Sequence, residues 1–280
     1  QWGFVDFNRP MVAINQWEQA ADSMYTLCGK DRIHPSTDGH LVMAYLFLKA
    51  QGLAGKLVAD IRIDGAGKKV TRSDNCRVSD LSVSSDNLTF TYEAKSLPYP
   101  IDTSYYDNEK HTQADALSVI PFMDEMNYEG LSVSGLSDGY YGLTIGGEFI
   151  GRFTARELER GINMALLQNT PQYKQAMKIR QMNEERWLKE RKMREFYWVE
   201  YNLMRKTGML WACNEAAVDT LRKYRPHDIF LQWNGDLWLQ YMHKGIREDC
   251  VNQQQDLVNQ IYEQNKPIPL RIEIKKFTDL

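Results

Sequence analysis

From Gln172 to Lys206 the chain contains neither glycine nor proline, and Met177, Trp187, Trp198 and Leu203 stand among many Lys, Arg and Glu residues. With no breaker and many straight-chain residues of good helix propensity, the segment reads as one long, partly exposed helix, about 50 Å if unbroken. Thr170-Pro171 supplies its start, Thr as cap and Pro at the first helical position. Its basic residues, among them Lys174, Lys178, Arg180, Arg186, Lys189, Arg191, Lys192 and Arg194, are interleaved with Glu184, Glu185, Glu190 and Glu195. That interleaving predicts i,i+4 ion pairs on a solvated face, not a nucleic-acid stripe. A formal net charge of −3, from 34 basic and 37 acidic side chains, also argues against a dedicated nucleic-acid partner.

Ahead of this helix the hydrophobic period is two. Leu57–Gly65, Arg77–Val83 and Leu88–Tyr92 alternate apolar and polar residues between Asp-Gly and Ser-Asp-Asn turns, and the alternation resumes at Leu131–Val133, Tyr140–Ile145 and Glu148–Phe153. These are half-buried antiparallel strands, with a hairpin turning at Gly146-Gly147. Residues 57–153 are therefore expected to form a β-rich domain, a sandwich or an extension of sheet structure. Within it, the Pro- and Tyr-rich Leu97–Asp107 reads as a long surface loop. Residues 154–280 are expected to be a helical extension: a Thr154/Glu157 capping box, the long helix, helices over 214–223 and 247–265, and a terminal strand near Pro267–Ile274 that can return to the sheets. Between the last two helices, Trp233, Asn234, Asp236 and Trp238 read as a loop that could line a carbohydrate groove, although ordinary packing is the commoner fate of such residues.

The chemistry concentrates near the start. Asp31-Arg32-Ile33-His34-Pro35 is followed by Gly39-His40-Leu41 and an apolar run to Leu48. A carboxylate three residues before an imidazole can fix its tautomer and stabilise its positive charge, which is what a general base needs to take a proton from a hydroxyl. Asp31 and His34 are the candidate catalytic residues, the orienting acid and the base. An N-capping Asp beside a surface His is the plainer reading of D-x-x-H alone. The longer string, Asp31 to Ala44 with Pro35, Gly39 and His40, resembles the last block of the SGNH (GDSL-type) ester hydrolases. There the Asp and His of D-x-x-H-P complete a catalytic triad.

The resemblance covers Gln1 to Gly55, with Phe4-Val5-Asp6-Phe7 as the expected final strand before the block. A second, looser likeness, from Leu131 to Ala165, is to an accessory region that follows some bacterial SGNH domains. The resemblance implies an α/β fold: residues 1–56 as the end of a three-layer SGNH-type domain, then the β-rich domain, then the helices. It implies a small-acyl or carbohydrate ester substrate, no cofactor, and a periplasmic or secreted location. The family's Gly-Asp-Ser nucleophile motif and its oxyanion blocks are absent; Gly161-Ile162-Asn163 and Asn234-Gly235-Asp236 lie on the wrong side of Asp31. The nucleophile is thus expected from an N-terminal hydrolase segment outside these residues, and the chain alone is expected to be inactive. The competing reading is a non-catalytic module that binds a glycan or a protein.

Remaining features narrow the field. No apolar run is long enough for a membrane span. Cys28, Cys76, Cys213 and Cys250 contain no C-x-x-C pair, and His111, His227 and His243 lack ligand spacing, so no metal site is expected. The cysteines read as free thiols, or as one disulfide if the protein is exported.

Overall fold

The computed structural model describes residues 3–104 and 111–277, and mixes helices with sheets. Contacts divide the chain into two units, residues 1–176 with 266–280, and residues 177–265.

The first unit opens with helix α1 (Asn8–Glu18) and helix α2 (Thr37–Ala50). Residues 3–7 are not a strand, contrary to the expectation for Phe4–Phe7. Instead Asp6 Oδ1 accepts from the Arg9 N–H at 3.1 Å, so the segment serves as the lead-in that satisfies the first turn of α1. Strands β1 (Ala59–Asp64), β2 (Lys69–Asp74), β3 (Cys76–Val83) and β4 (Asn87–Ala94) follow. After a short helix α3 (Phe122–Glu125) come β5 (Glu129–Ser134), β6 (Tyr140–Ile145) and β7 (Glu148–Thr154). Helix α4 (Ala155–Arg160) and β8 (Ile162–Asn163) lead to helix α5 (Pro171–Val199), and the final strand, β9 (Leu270–Lys276), belongs to this unit too.

The strands form two sheets, ordered β2-β1-β5-β8 and β3-β4-β9-β6-β7. β1 and β5 run parallel; every other pairing is antiparallel. One hydrophobic core joins both sheets: Ile61, Ile63, Leu131 and Val133 from the first, and Phe90, Tyr92, Leu143, Ile145, Ile272 and Ile274 from the second. The alternation seen in the sequence is the burial alternation here, since β4 turns Leu88, Phe90 and Tyr92 inward and the residues between them outward. β6 and β7 turn at Gly146 and Gly147, both at positive φ (59° and 85°), which the two-residue hairpin requires and side-chain-bearing residues resist. The terminal strand does return to the sheet, and to its centre: Ile272 lies opposite Phe90 on one side and Ile145 on the other.

Segment 97–104 is irregular but not a surface loop. Pro98, Pro100, Ile101 and Asp102 are buried, Asn127 exchanges two hydrogen bonds with the Tyr99 backbone, and the Tyr173 hydroxyl donates to the Ile101 carbonyl. Proline rings pack well where no sheet partner is available, and Asn127 supplies the bonds a strand would have given. Residues 105–107 of the expected loop lie outside the described residues.

The second unit takes over within α5 and is helical. The ion pairs expected on α5 form: Arg180 with Glu184 at 2.7 Å, Arg191 with Glu195 at 2.7 Å, and Arg194 with Glu190 at 2.8 Å. Helix α5 passes into a π-helical segment, Glu200–Met204, followed by α6 (Glu215–Tyr224), α7 (Ile229–Tyr241) and α8 (Lys244–Gln264). The expected loop across Trp233–Trp238 is helix α7 instead. Asp228 caps it, its Oδ1 accepting from the Phe230 and Leu231 N–H groups at 2.8 and 3.2 Å, and the burial of Leu231 and Trp238 overrides the turn preference of Asn234-Gly235.

Among the described residues no helix is long and apolar enough to cross a membrane.

Candidate active site

Asp31 and His34 meet. Asp31 Oδ2 lies 2.6 Å from His34 Nδ1, while its Oδ1 accepts from the Ile33 and His34 N–H groups at 2.9 and 3.1 Å. The His34 side chain donates to the carboxylate, and the two backbone N–H groups do the same, so the Asp31 carboxyl is held down at about 2. The pair folds locally because Arg32 takes a left-handed conformation (φ 55°) and its N–H donates to the Gly29 carbonyl at 2.9 Å. The ends of the loop are tied: Gly29 N–H donates to the His34 carbonyl at 2.8 Å, and Ser36 N–H to the Leu27 carbonyl at 3.0 Å.

With Nδ1 committed to Asp31 as a donor, Nε2 is the basic nitrogen, and it makes no hydrogen bond among the described residues. The ring projects outward, its side chain 83% exposed against 47% for Asp31. An imidazole so oriented and so open can take a proton from any hydroxyl or water brought to Nε2.

Support from below comes from residues that carry no chemistry. A Cβ on Gly39 would stand 2.0 Å from the Leu27 carbonyl oxygen, so only glycine lets the first turn of α2 lie against the backbone that anchors the His34 loop. Asp38 is buried one residue earlier. It accepts from the Gly39 N–H at 2.8 Å and from the Ser36 hydroxyl, and His111 Nδ1 lies 3.6 Å from its other oxygen. Ser36 also donates to the Leu27 carbonyl at 3.0 Å. Neither Ser36 nor Asp38 stands out in the sequence as a supporting residue, although a buried Asp at the first turn of a helix is a recognisable cap signal.

The side chains considered for a carbohydrate groove do not converge. Trp238 is fully buried and donates from Nε1 to Glu200 Oε1 at 2.9 Å; Asp236 pairs bidentately with Arg225 at 2.6 and 2.7 Å; Trp233 faces solvent. On helix α7, Trp233 and Asp236 lie on one side and Asn234 and Trp238 on another, so the four line no common groove. All four cysteines are free thiols, and Cys213 Sγ lies 3.3 Å from His243 Nδ1.

Comparison with known proteins bears on both units. Residues 177–266 match the family described as the diltiazem deacetylase C-terminal helical domain. No curated protein matches the chain. Among solved structures, a gut microbial diltiazem-metabolizing enzyme superposes with a TM-score of 0.93 at 42% identity, over 99% of this chain. The chain spans 62% of that enzyme's length. It therefore shares its fold with a substantial part of a diltiazem-metabolizing enzyme, and its second unit is similar to the helical domain of a diltiazem deacetylase.

Proposed function

We propose that the chain is the C-terminal part of an SGNH-type ester hydrolase, in which His34 is the general base and Asp31 its orienting partner. The carrying observation is the 2.6 Å bond from Asp31 Oδ2 to His34 Nδ1, which leaves Nε2 open to solvent. In this reading a serine from a segment preceding Gln1 gives its proton to Nε2 and attacks the ester carbonyl. The imidazolium then protonates the leaving alkoxide, and the acyl-enzyme is cleared by a water that His34 deprotonates. Asp31 stays ionised throughout, since its carboxyl sits at about 2. The substrate class is a small-acyl ester, an acetyl ester first, on a drug-like or carbohydrate alcohol; the description of the family matched by residues 177–266, a diltiazem deacetylase, supports the acetyl choice.

A further observation supports an outside contribution. Phe4, Trp17, Met24 and Ile33, all within the 34 residues that end at His34, are each at least 72% exposed. An upstream segment packed against this end of the chain would take these side chains out of water.

The test uses the protein that includes the upstream segment, with p-nitrophenyl acetate as probe. His34→Ala should lower kcat by roughly 10⁶-fold with the fold unchanged by circular dichroism. Turnover equal to that of the parent would refute the role of His34. A fluorophosphonate adduct on residues 1–280 alone would show that the activated serine lies within them, and would refute the upstream nucleophile.

A further inference from the structure

The second unit holds a cavity of about 450 Å³, within the range of sites that enclose a small organic molecule, roughly 300–1,000 Å³. Trp198 and Tyr224 give it aromatic walls, and Leu203 and Leu231 supply buried aliphatic surface. The Trp198 wall extends outward: its ring lies 5.2 Å from that of Phe230, which lies 5.5 Å from that of Trp233. Within the cavity itself, Trp198 and Tyr224 offer aromatic surface to planar, apolar matter.

The polar groups of the lining are not balanced. Among the described residues that line it, Asp228 is the only carboxylate, and that charge is set against the N-terminal N–H groups of α7, from which Oδ1 already accepts. Lys206 faces the cavity with no hydrogen bond or ion pair among the described residues, and the His227 ring and the Tyr224 hydroxyl likewise have no hydrogen-bond partner. The uncommitted groups are thus a cation and two potential donors. Asn202 Nδ2 is taken by the Trp198 carbonyl at 3.0 Å, and the Thr207 hydroxyl by the Leu203 carbonyl at 3.0 Å.

The backbone under this lining is unusual. Asn202 and Leu203 lie in the π-helical segment, where Arg205 N–H reaches back five residues to the Glu200 carbonyl at 2.8 Å. Such a wide turn is less favourable than an α-turn and often marks a functional site. Here the buried Glu200 carboxylate holds it, accepting from the Trp211 N–H at 2.9 Å and from Trp238 Nε1 at 2.9 Å. An α-helix carries residues four apart steadily around its axis, while a π turn shifts them the other way. One π segment between Trp198 and Lys206 keeps Trp198, Asn202 and Lys206 along a single face.

We infer that this cavity binds a carboxylate carried on a planar ring, the ring against Trp198 and Tyr224 and the carboxylate on Lys206 with His227 beside it. The site shares no residue with the Asp31–His34 pair, and its test does not depend on the esterase reading. The experiment is calorimetric titration of the chain with 1-naphthoate, and with the neutral 1-naphthamide as control. Naphthoate should saturate one site, with naphthamide at least about tenfold weaker. Lys206→Ala should cost about tenfold for naphthoate and nothing for naphthamide, Lys206→Arg should retain binding, and Tyr224→Ala should weaken both probes. Lys206 and Tyr224 are exposed, so their substitution leaves the fold standing, which circular dichroism checks. No saturable heat up to about 5 mM, equal binding of the two probes, or an unaffected Lys206→Ala variant would each overturn the proposal.

Discussion

Glu129 offers the sharpest test of how the first unit is held together. Its side chain is fully buried where β5 meets β4 and the start of α5; its Oε1 accepts from the Tyr92 hydroxyl at 2.8 Å and from Gln172 Nε2 at 3.3 Å. Its Oε2 and the Gln172 Oε1 have no hydrogen-bond partner among the described residues. Burial raises the carboxyl from 4.5 to about 7, against the two hydrogen bonds that lower it. The sign follows from proton binding. Below about pH 4.5 native and unfolded chains both hold the proton, and stability is at its full value; between there and about pH 7 only the native state keeps it, so stability falls; above that it is level. The loss amounts to about 3 kcal/mol, from about 2.5 pK units at 1.36 kcal/mol each. Glu129→Gln removes the titration, keeps an acceptor for Tyr92, and offers an N–H to the orphan oxygen of Gln172. Pulse-labelling hydrogen exchange on peptides from β4 and β5, read across a urea titration at about pH 4.5 and about pH 8, isolates this unit. The variant should gain about 3 kcal/mol over the parent on going from the lower pH to the higher. Parallel pH dependences would refute the claim that Glu129 is a buried acid held near neutrality.

Gly39→Ala drives a methyl into the Leu27 carbonyl, and should cost about 3 kcal/mol or more in urea unfolding and, on the proposed function, lower ester turnover in the protein that includes the upstream segment. Truncation after Pro267 removes β9 from between β4 and β6, and should abolish the cooperative melt of the first unit; a melt retained at its original temperature would show that the strand is dispensable. On the proposed function, Asp31→Asn in the protein that includes the upstream segment should leave the melt nearly unchanged yet lower kcat by roughly 10⁴-fold, because an amide cannot stabilise the imidazolium; a small change in kcat would make Asp31 a turn residue only.

What the sequence discloses depends on the range of the interaction that decides each element. Asp31 and His34 are legible because their bond closes over three residues, and so is the Thr154–Glu157 capping box, where Glu157 N–H donates to Thr154 Oγ1 at 3.2 Å and Glu157 Oε2 accepts from Thr154 N–H at 2.7 Å. The inward faces of β4 and β9 are legible because the alternation is carried by each strand alone. The central place of β9 is not, since Ile272 finds Phe90 and Ile145 only after closing chain segments of more than a hundred residues, and no local pattern names those partners. Helix α7 shows the opposite failure: Asn234-Gly235 is a correct local turn signal that loses to Leu231 and Trp238, whose burial is set by other helices. The same division runs through the candidate site. Its Asp31–His34 pair is written three residues apart, whereas the Gly39 contact with Leu27 that fixes the loop in space depends on two segments meeting, and a lone glycine in a sequence does not say what it is making room for. The Asp31–His34 geometry should accordingly survive many changes elsewhere in the fold, while the proposed role of His34 as a base would depend on Gly39, Asp38 and Ser36 holding the loop in register for a hydroxyl arriving at Nε2.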